Sequence, residues 1–155
     1  MKSKHPKNGL HTEYFENGQI HIEGNYKDGK HDGKWTDWYE NGQKKLEGKF
    51  KEGKEDGKWT SWHENGQKKS EGKFKNGKED GKWTDWYENG QISSETNYKD
   101  DEFHGKHLEW YENGQLKNTE MYWKDGEPIL EDGNFIIWYE NGQKKSEGSV
   151  LNNES

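Results

Sequence analysis

Three sets of residues in this chain have side chains suited to a site. The first is a series of indoles. Trp38, Trp62, Trp86, Trp110 and Trp138 recur at one position of a repeating pattern, and Trp35, Trp59 and Trp83 stand three residues before three of them. Flat, polarisable rings at regular intervals suit stacking on sugars, enclosing a quaternary ammonium, or anchoring a protein partner. The second set is Asp100, Asp101, Glu102, His104 and His107, which places two imidazoles among carboxylates. These are metal-ligand types, but a spacing of three puts the two histidines on opposite faces of a strand, so no metal site is expected. The third is Ser61, Ser70 and Ser146, hydroxyls at repeat positions for which the sequence supplies no base and acid partner. Carboxylates are abundant, yet they fall in turns and on solvent-facing positions, a poor setting for raising a pKa. No glycine-rich phosphate loop precedes a helix. The chain therefore reads as non-enzymatic, with no catalytic residue, metal or cofactor.

The elements that would position the indoles follow from internal repetition. Glu-Asn-Gly-Gln begins at Glu16, Glu40, Glu64, Glu88, Glu112 and Glu140, at intervals of 24, 24, 24, 24 and 28 residues. The stretch Lys49–Thr60 recurs almost verbatim at Lys73–Thr84. Asn-Gly between runs of β-forming residues predicts a hairpin with a two-residue type I′ turn. With Asn41-Gly42 as that loop, Glu40 faces Gln43, Tyr39 faces Lys44, Trp38 faces Lys45 and Trp35 faces Gly48. One face then collects Trp35, Asp37, Tyr39, Leu46, Gly48 and Phe50, and the other Thr36, Trp38, Glu40, Gln43, Lys45, Glu47 and Lys49. A second turn around residues 52–57, with Phe50 paired to Trp59, loops out an even number of residues and keeps both rings on one face. The period of 24 is even too, so each face persists from copy to copy.

The predicted fold is all-β: an elongated, single-layer antiparallel meander of about six tandem hairpin repeats. Residues 1–8 form a leader, 9–148 the array and 149–155 a tail. The ring of Trp35 is expected to lie across the gap left by Gly48, as Trp59 does with Gly72. The aromatic face runs through Trp35, Tyr39, Phe50, Trp59, Phe74, Trp83, Tyr87, Tyr98, Tyr111, Tyr122, Phe135 and Tyr139. Trp38, Trp62, Trp86, Trp110 and Trp138 form a ladder on the other face, among Thr, Lys and Glu. Three departures stand out: His107 replaces the tryptophan of the pattern, Thr96 the glycine, and Asp101 a turn glycine. The stretch 121–130, followed by Ile136 and Ile137, is the most apolar and reads as a C-terminal cap or a protein contact.

Composition agrees with a thin fold. Only 24% of the 155 residues are hydrophobic and 35% are charged, yet there are nine Trp, eight Tyr and five Phe. Apolar surface is thus concentrated in large flat rings, too little for a thick two-layer core. The net charge is −7, every basic side chain apart from histidine is lysine, and no block of one sign occurs. This speaks against nucleic acid and anionic membranes as partners, since both need a basic stripe and favour arginine. Without cysteine there is no disulfide or zinc–thiolate site. A charged start with no apolar run after it leads to the expectation of a cytoplasmic protein.

The residues Tyr/Phe-Glu-Asn-Gly-Gln, followed by Glu-Gly-Lys-Phe-Lys-Asn-Gly-Lys-Glu-Asp-Gly-Lys-Trp (Glu71 to Trp83), resemble the MORN repeat (membrane occupation and recognition nexus). The likeness is to its bacterial variant, found in proteins classed as antitoxin-like members of toxin–antitoxin systems, and it spans roughly Gly9 to Gly148. It implies a single-layer hairpin array without catalytic residues that binds proteins, with a toxin as the candidate partner. The residues expected to meet a partner are Trp35, Trp38, Tyr39, Trp59, Trp62, Trp83, Trp86, Tyr87, Trp110, Tyr111, Trp123 and Trp138. The edge strands offer unpaired backbone groups, a second route to a partner or to a homo-oligomer. Two other readings stay open. Gly33–Gly42 has a loose likeness to aromatic cell-wall-binding repeats, which would make the chain a cell-surface carbohydrate- or choline-binding array. The third reading is a structural scaffold that sets a distance.

Overall fold

The computed structural model describes residues 6–117, 121–124, 127–129 and 133–150, with side chains for 6–117 and 136–148. Its strands are β1 (Gly9–Tyr14), β2 (Ile20–Lys27), β3 (Lys30–Trp38), β4 (Lys44–Lys51), β5 (Lys54–Glu55), β6 (Gly57–Trp62), β7 (Lys68–Lys75), β8 (Lys78–Glu79), β9 (Gly81–Trp86) and β10 (Ile92–Lys99). They continue as β11 (Glu102–Glu109), β12 (Met121–Lys124), β13 (Glu127–Ile129), β14 (Gly133–Trp138) and β15 (Lys144–Val150). No helix occurs among the described residues. Spatial order follows chain order from β1 to β13 in one antiparallel sheet of 13 strands, with β5 and β8 as short arms on β4 and β7. The fold is the meander of tandem hairpins that the repeat predicts.

Of the four extra residues of the last interval one precedes β12, because Gly105 pairs with Trp123 where Gly81 pairs with Tyr98, and three lie between β12 and β14; Trp123, not Tyr122 as expected, thus takes the register position of Tyr98. Here β14 and β15 form a separate two-stranded sheet. That hairpin still continues the stack through its turn: Trp138 N donates to Lys117 O (3.2 Å), Tyr111 Oη to Trp138 O (2.9 Å) and Asn113 Nδ2 to Glu140 O (2.7 Å). The side chains of 121–130, read from sequence as a cap, lie outside the described residues.

The body of each hairpin has the expected register, with Trp35 paired to Gly48 and Thr36 to Glu47. The turn is different. Gly42 N donates to Tyr39 O and Tyr39 N to Gln43 O, so the loop has three residues, 40–42, and only Gly42 (φ 85°) is left-handed. This is a type I turn closed by a glycine bulge, not the type I′ turn expected from Asn-Gly. Trp38 pairs with Lys44 rather than Lys45, and a second bulge returns the register by Leu46. Lys45 is thereby moved to the aromatic face beside Asp37 (3.8 Å), and Lys44 takes its place beside Trp38. True type I′ turns occupy the opposite end, at Glu52-Gly53 (φ 53° and 84°). There Phe50 pairs with Glu55, not Trp59, and a shift of two residues sets Glu47 opposite Thr60. A shift of two preserves both faces, which is why the assignment of faces survives a wrong partner.

Candidate functional site

The aromatic face is a structural spine. Edge-to-face contacts link Trp35, Phe50, Trp59, Phe74 and Trp83 at centroid distances of 5.0–6.0 Å. Each indole lies on a glycine, but on the glycine of the preceding repeat: Trp35 covers Gly24, Trp59 covers Gly48 and Trp83 covers Gly72. A Cβ at Gly72 would meet the Trp83 ring at 2.0 Å. This corrects the expectation that Trp35 covers Gly48 and Trp59 covers Gly72. Tyr26 (6% exposed), Trp59 (4%) and Trp83 (9%) are buried although the sheet is one layer deep: the two indoles lie on glycine backbone and are flanked by rings, and Tyr26 stands edge-on between His11 and His31.

The two replacements in the fifth repeat compensate one another. Thr96 pairs with His107, and Thr96 Oγ1 meets His107 Nδ1 at 2.8 Å. A side chain fills the glycine gap and an imidazole, stacked on Phe103 at 5.7 Å, replaces the indole that needed it. Two coupled substitutions explain what looked from sequence like the start of a metal cluster. No group of three metal-ligating residues gathers among the described residues.

The opposite face carries three rows that cross the strands. Trp38, Trp62, Trp86, Trp110 and Trp138 are half-buried and alternate with Lys44, Lys68, Ile92 and Leu116. Lys44 and Lys68 lay their ammonium groups over Trp62 (5.7 Å) and Trp86 (5.3 Å). In the middle row Thr36 and Thr60 are buried and alternate with Glu47 and Glu71. Glu47 accepts from Lys44 (2.7 Å) and Lys34 (3.0 Å), and Glu71 from Lys68 (2.7 Å) and Lys58 (3.0 Å). Hydrogen bonds from Lys44, joined by Lys34, outweigh burial and hold the Glu47 carboxyl below its usual range. The third row is basic: Lys34, Lys49, Lys58, Lys73 and Lys82 stand on five successive long strands. An open trough of about 400 Å³ runs over this face between Lys34, Lys49, Thr60, Trp62, Lys68 and Glu71.

The expected contact residues are thus divided between two faces. Trp38, Trp62, Trp86, Trp110 and Trp138 share the tryptophan–lysine face. Trp35, Trp59 and Trp83 belong to the spine of the other. Tyr39, Tyr87 and Tyr111 form a ladder at its turn end, and the Trp123 side chain lies outside the described residues. In that ladder Tyr39 Oη donates to Trp62 O (2.8 Å), Tyr87 Oη to Trp110 O (2.8 Å) and Tyr111 Oη to Trp138 O. Asn41 Nδ2 donates to Glu64 O (2.9 Å), and Asn65 and Asn89 act alike on Glu88 and Glu112. Reading Glu-Asn-Gly-Gln as a hairpin signal alone missed these bonds between repeats. The available clue was that all four residues recur in six copies, whereas a hairpin needs only a glycine at the bulge.

This geometry supplies flat rings, ammonium groups and hydrogen-bonded turns, but no aligned nucleophile and base. A comparison with curated proteins found no match. The profile of the family described as MORN repeat variant matches six times, over residues 7–28, 32–52, 55–76, 79–100, 103–125 and 131–152. MORN repeats are in general modules for protein or membrane interaction, and theirs is not an enzyme family. With hairpins stacked in the register of those six matches, the chain belongs to the MORN repeat variant family.

Proposed function

We propose that the chain is a non-enzymatic protein-interaction module that receives its partner on the tryptophan–lysine face, and that this partner is the toxin of a toxin–antitoxin pair met in the cytoplasm. The observation that carries the choice of face is the contrast in burial between the two sets of indoles. Of the spine indoles Trp59 and Trp83 are buried on glycine and only Trp35 is half-exposed, whereas Trp38, Trp62, Trp86, Trp110 and Trp138 are all half-exposed and Trp62 lines an open trough. Half-exposed tryptophans in a row, flanked by lysine stems, have the makings of binding hot spots. The toxin part rests on the resemblance of the repeat to the bacterial antitoxin-like variant. The choline-binding reading loses ground on this face, because Lys44 and Lys68 already occupy the ring faces of Trp62 and Trp86 that a quaternary ammonium would need.

The test is co-purification of the tagged chain from its native cells, followed by co-expression with the captured protein. A stoichiometric protein that arrests growth alone, and is relieved by this chain, is expected. Trp62→Ala with Trp86→Ala should abolish capture while the chain remains folded. A stoichiometric partner that binds this double variant unchanged overturns the face. A partner harmless to growth overturns the antitoxin role.

A further inference from the structure

We infer that the basic end of the tryptophan–lysine face holds an acidic, extended segment of the protein partner, laid across the strands; this rests on the reading of that face as a protein-binding surface. The sheet is arranged there against its own stability. Lys34 pairs directly with Lys49, and Lys58 with Lys73. Like charges directly opposed in adjacent strands destabilise a sheet. The glutamates of the middle row relieve only part of this. Lys34 and Lys58 reach Glu47 and Glu71, while Lys49 and Lys73 make no ion pair among the described residues and are exposed.

From β3 to β10 the three rows of this face carry seven lysines (Lys44 and Lys68 besides the five of the basic row) against Glu47, Glu71 and Glu95. The local balance is positive in a chain whose net charge is −7. The acidic surplus therefore lies elsewhere, and it includes the six Glu-Asn-Gly-Gln turns at the other end of the strands.

Spacing selects the form of the ligand. Lys49 on β4 and Lys73 on β7 are separated by β6 alone, hence by roughly 10 Å at about 4.8 Å per strand. A segment in the polyproline II form rises about 3.1 Å per residue with about three residues per turn, so carboxylates at every third position lie on one side about 9 Å apart and meet successive unpaired lysines. The basic row stands four residues from the indole row, about 13 Å along the strand. The segment lies beside the tryptophans, which remain available to another part of the partner. A continuous phosphate backbone fits less well, because the row of glutamates runs alongside and no arginine offers a bidentate grip.

The probe is a synthetic 16-residue peptide of Glu, Ser and Pro with Glu at every third position, titrated into the full chain at low and at 0.3 M salt. Expected are saturable binding that weakens with salt, no binding of the peptide with Lys in place of Glu, and about a tenfold loss in Lys49→Gln/Lys73→Gln. That double variant should melt no lower than the parent, since it removes opposed like charges. No binding at millimolar peptide, equal binding by the double variant, or tighter binding of a single-stranded oligonucleotide or phosphatidylserine vesicles each overturns the inference. If the cellular partner is retained by the lysine variant yet lost with Trp62→Ala/Trp86→Ala, the acidic segment is wrong and the face is right. If neither variant loses it, both are wrong.

Discussion

The central repeats and the fifth repeat solve one packing problem with different chemistry. Between β2 and β9 an indole lies flat on a bare glycine backbone, so three tryptophans need three empty positions in the strand before them. Between β10 and β11 the position is filled by Thr96, and the larger ring gives way to His107, held by a hydrogen bond instead of by area. In the first arrangement the energy is contact area; in the second it is one polar pair and a stacked phenyl ring. The two should respond differently to the same kind of damage.

The largest effect separates them directly. Trp59→Ala should cost about 3–5 kcal/mol, because a nearly fully buried ring leaves a cavity over Gly48. His107→Ala should cost only about 1–2 kcal/mol in urea denaturation. Equal losses would break the comparison. Next comes transplantation. Gly72→Thr alone drives a side chain into Trp83 and should cost about 3 kcal/mol. Adding Trp83→His should recover about 1–2 kcal/mol, read as a coupling in a double-mutant cycle. Additive effects would mean that Thr96 and His107 are unrelated changes.

A smaller effect should be shared by both regions. Tyr87→Phe and Tyr111→Phe each remove one bond of the turn ladder and should cost about 1 kcal/mol apiece. A much smaller loss at Tyr111 would mean that the stack ends before the last hairpin. The smallest is confined to the fifth repeat. Burial, with Glu79 and Asp85 nearby, pushes the Tyr98 hydroxyl up to about 12. A raised value favours the protonated folded form, so this contribution is intact below pH 10 and lost as pH climbs towards 12. Tyr98→Phe should flatten the fall in urea midpoint over that window, and an unchanged slope would remove Tyr98 from the account.

Much of the fold was legible because the period of 24 is even and the bulge in β4 offsets the odd residue of the three-residue turn. Trp35, Phe50 and Trp59 share a face whatever their exact partners, so errors of two residues around Glu52-Gly53 did no harm. The site was only half legible. Alternation separated Trp35 from Trp38, but it carried no information on which row would be covered in a sheet with no second layer. Burial of Trp59 and Trp83 depends on glycines from a neighbouring repeat, and no local pattern specifies that neighbour.

The sequence by itself determined the period, the antiparallel meander and the faces of the central tryptophans, since these follow from strand alternation and turn residues at fixed intervals. The tertiary structure alone decided which glycine each tryptophan covers. Trp35 is opposite Gly24 on one side and Gly48 on the other. The three-residue turn makes Tyr39, and with it Asp37 and Trp35, hydrogen-bond toward β4, while residues at the Trp110 position bond backwards, as Trp110 N does to Ser93 O. Trp35 and Gly24 are therefore the non-hydrogen-bonded pair, where strands approach to about 4.5 Å instead of about 5.5 Å and side chains meet most closely. The two-residue turn expected from Asn-Gly would have reversed that phase and placed the ring on Gly48. One residue in a loop thus binds each hairpin to the one before it.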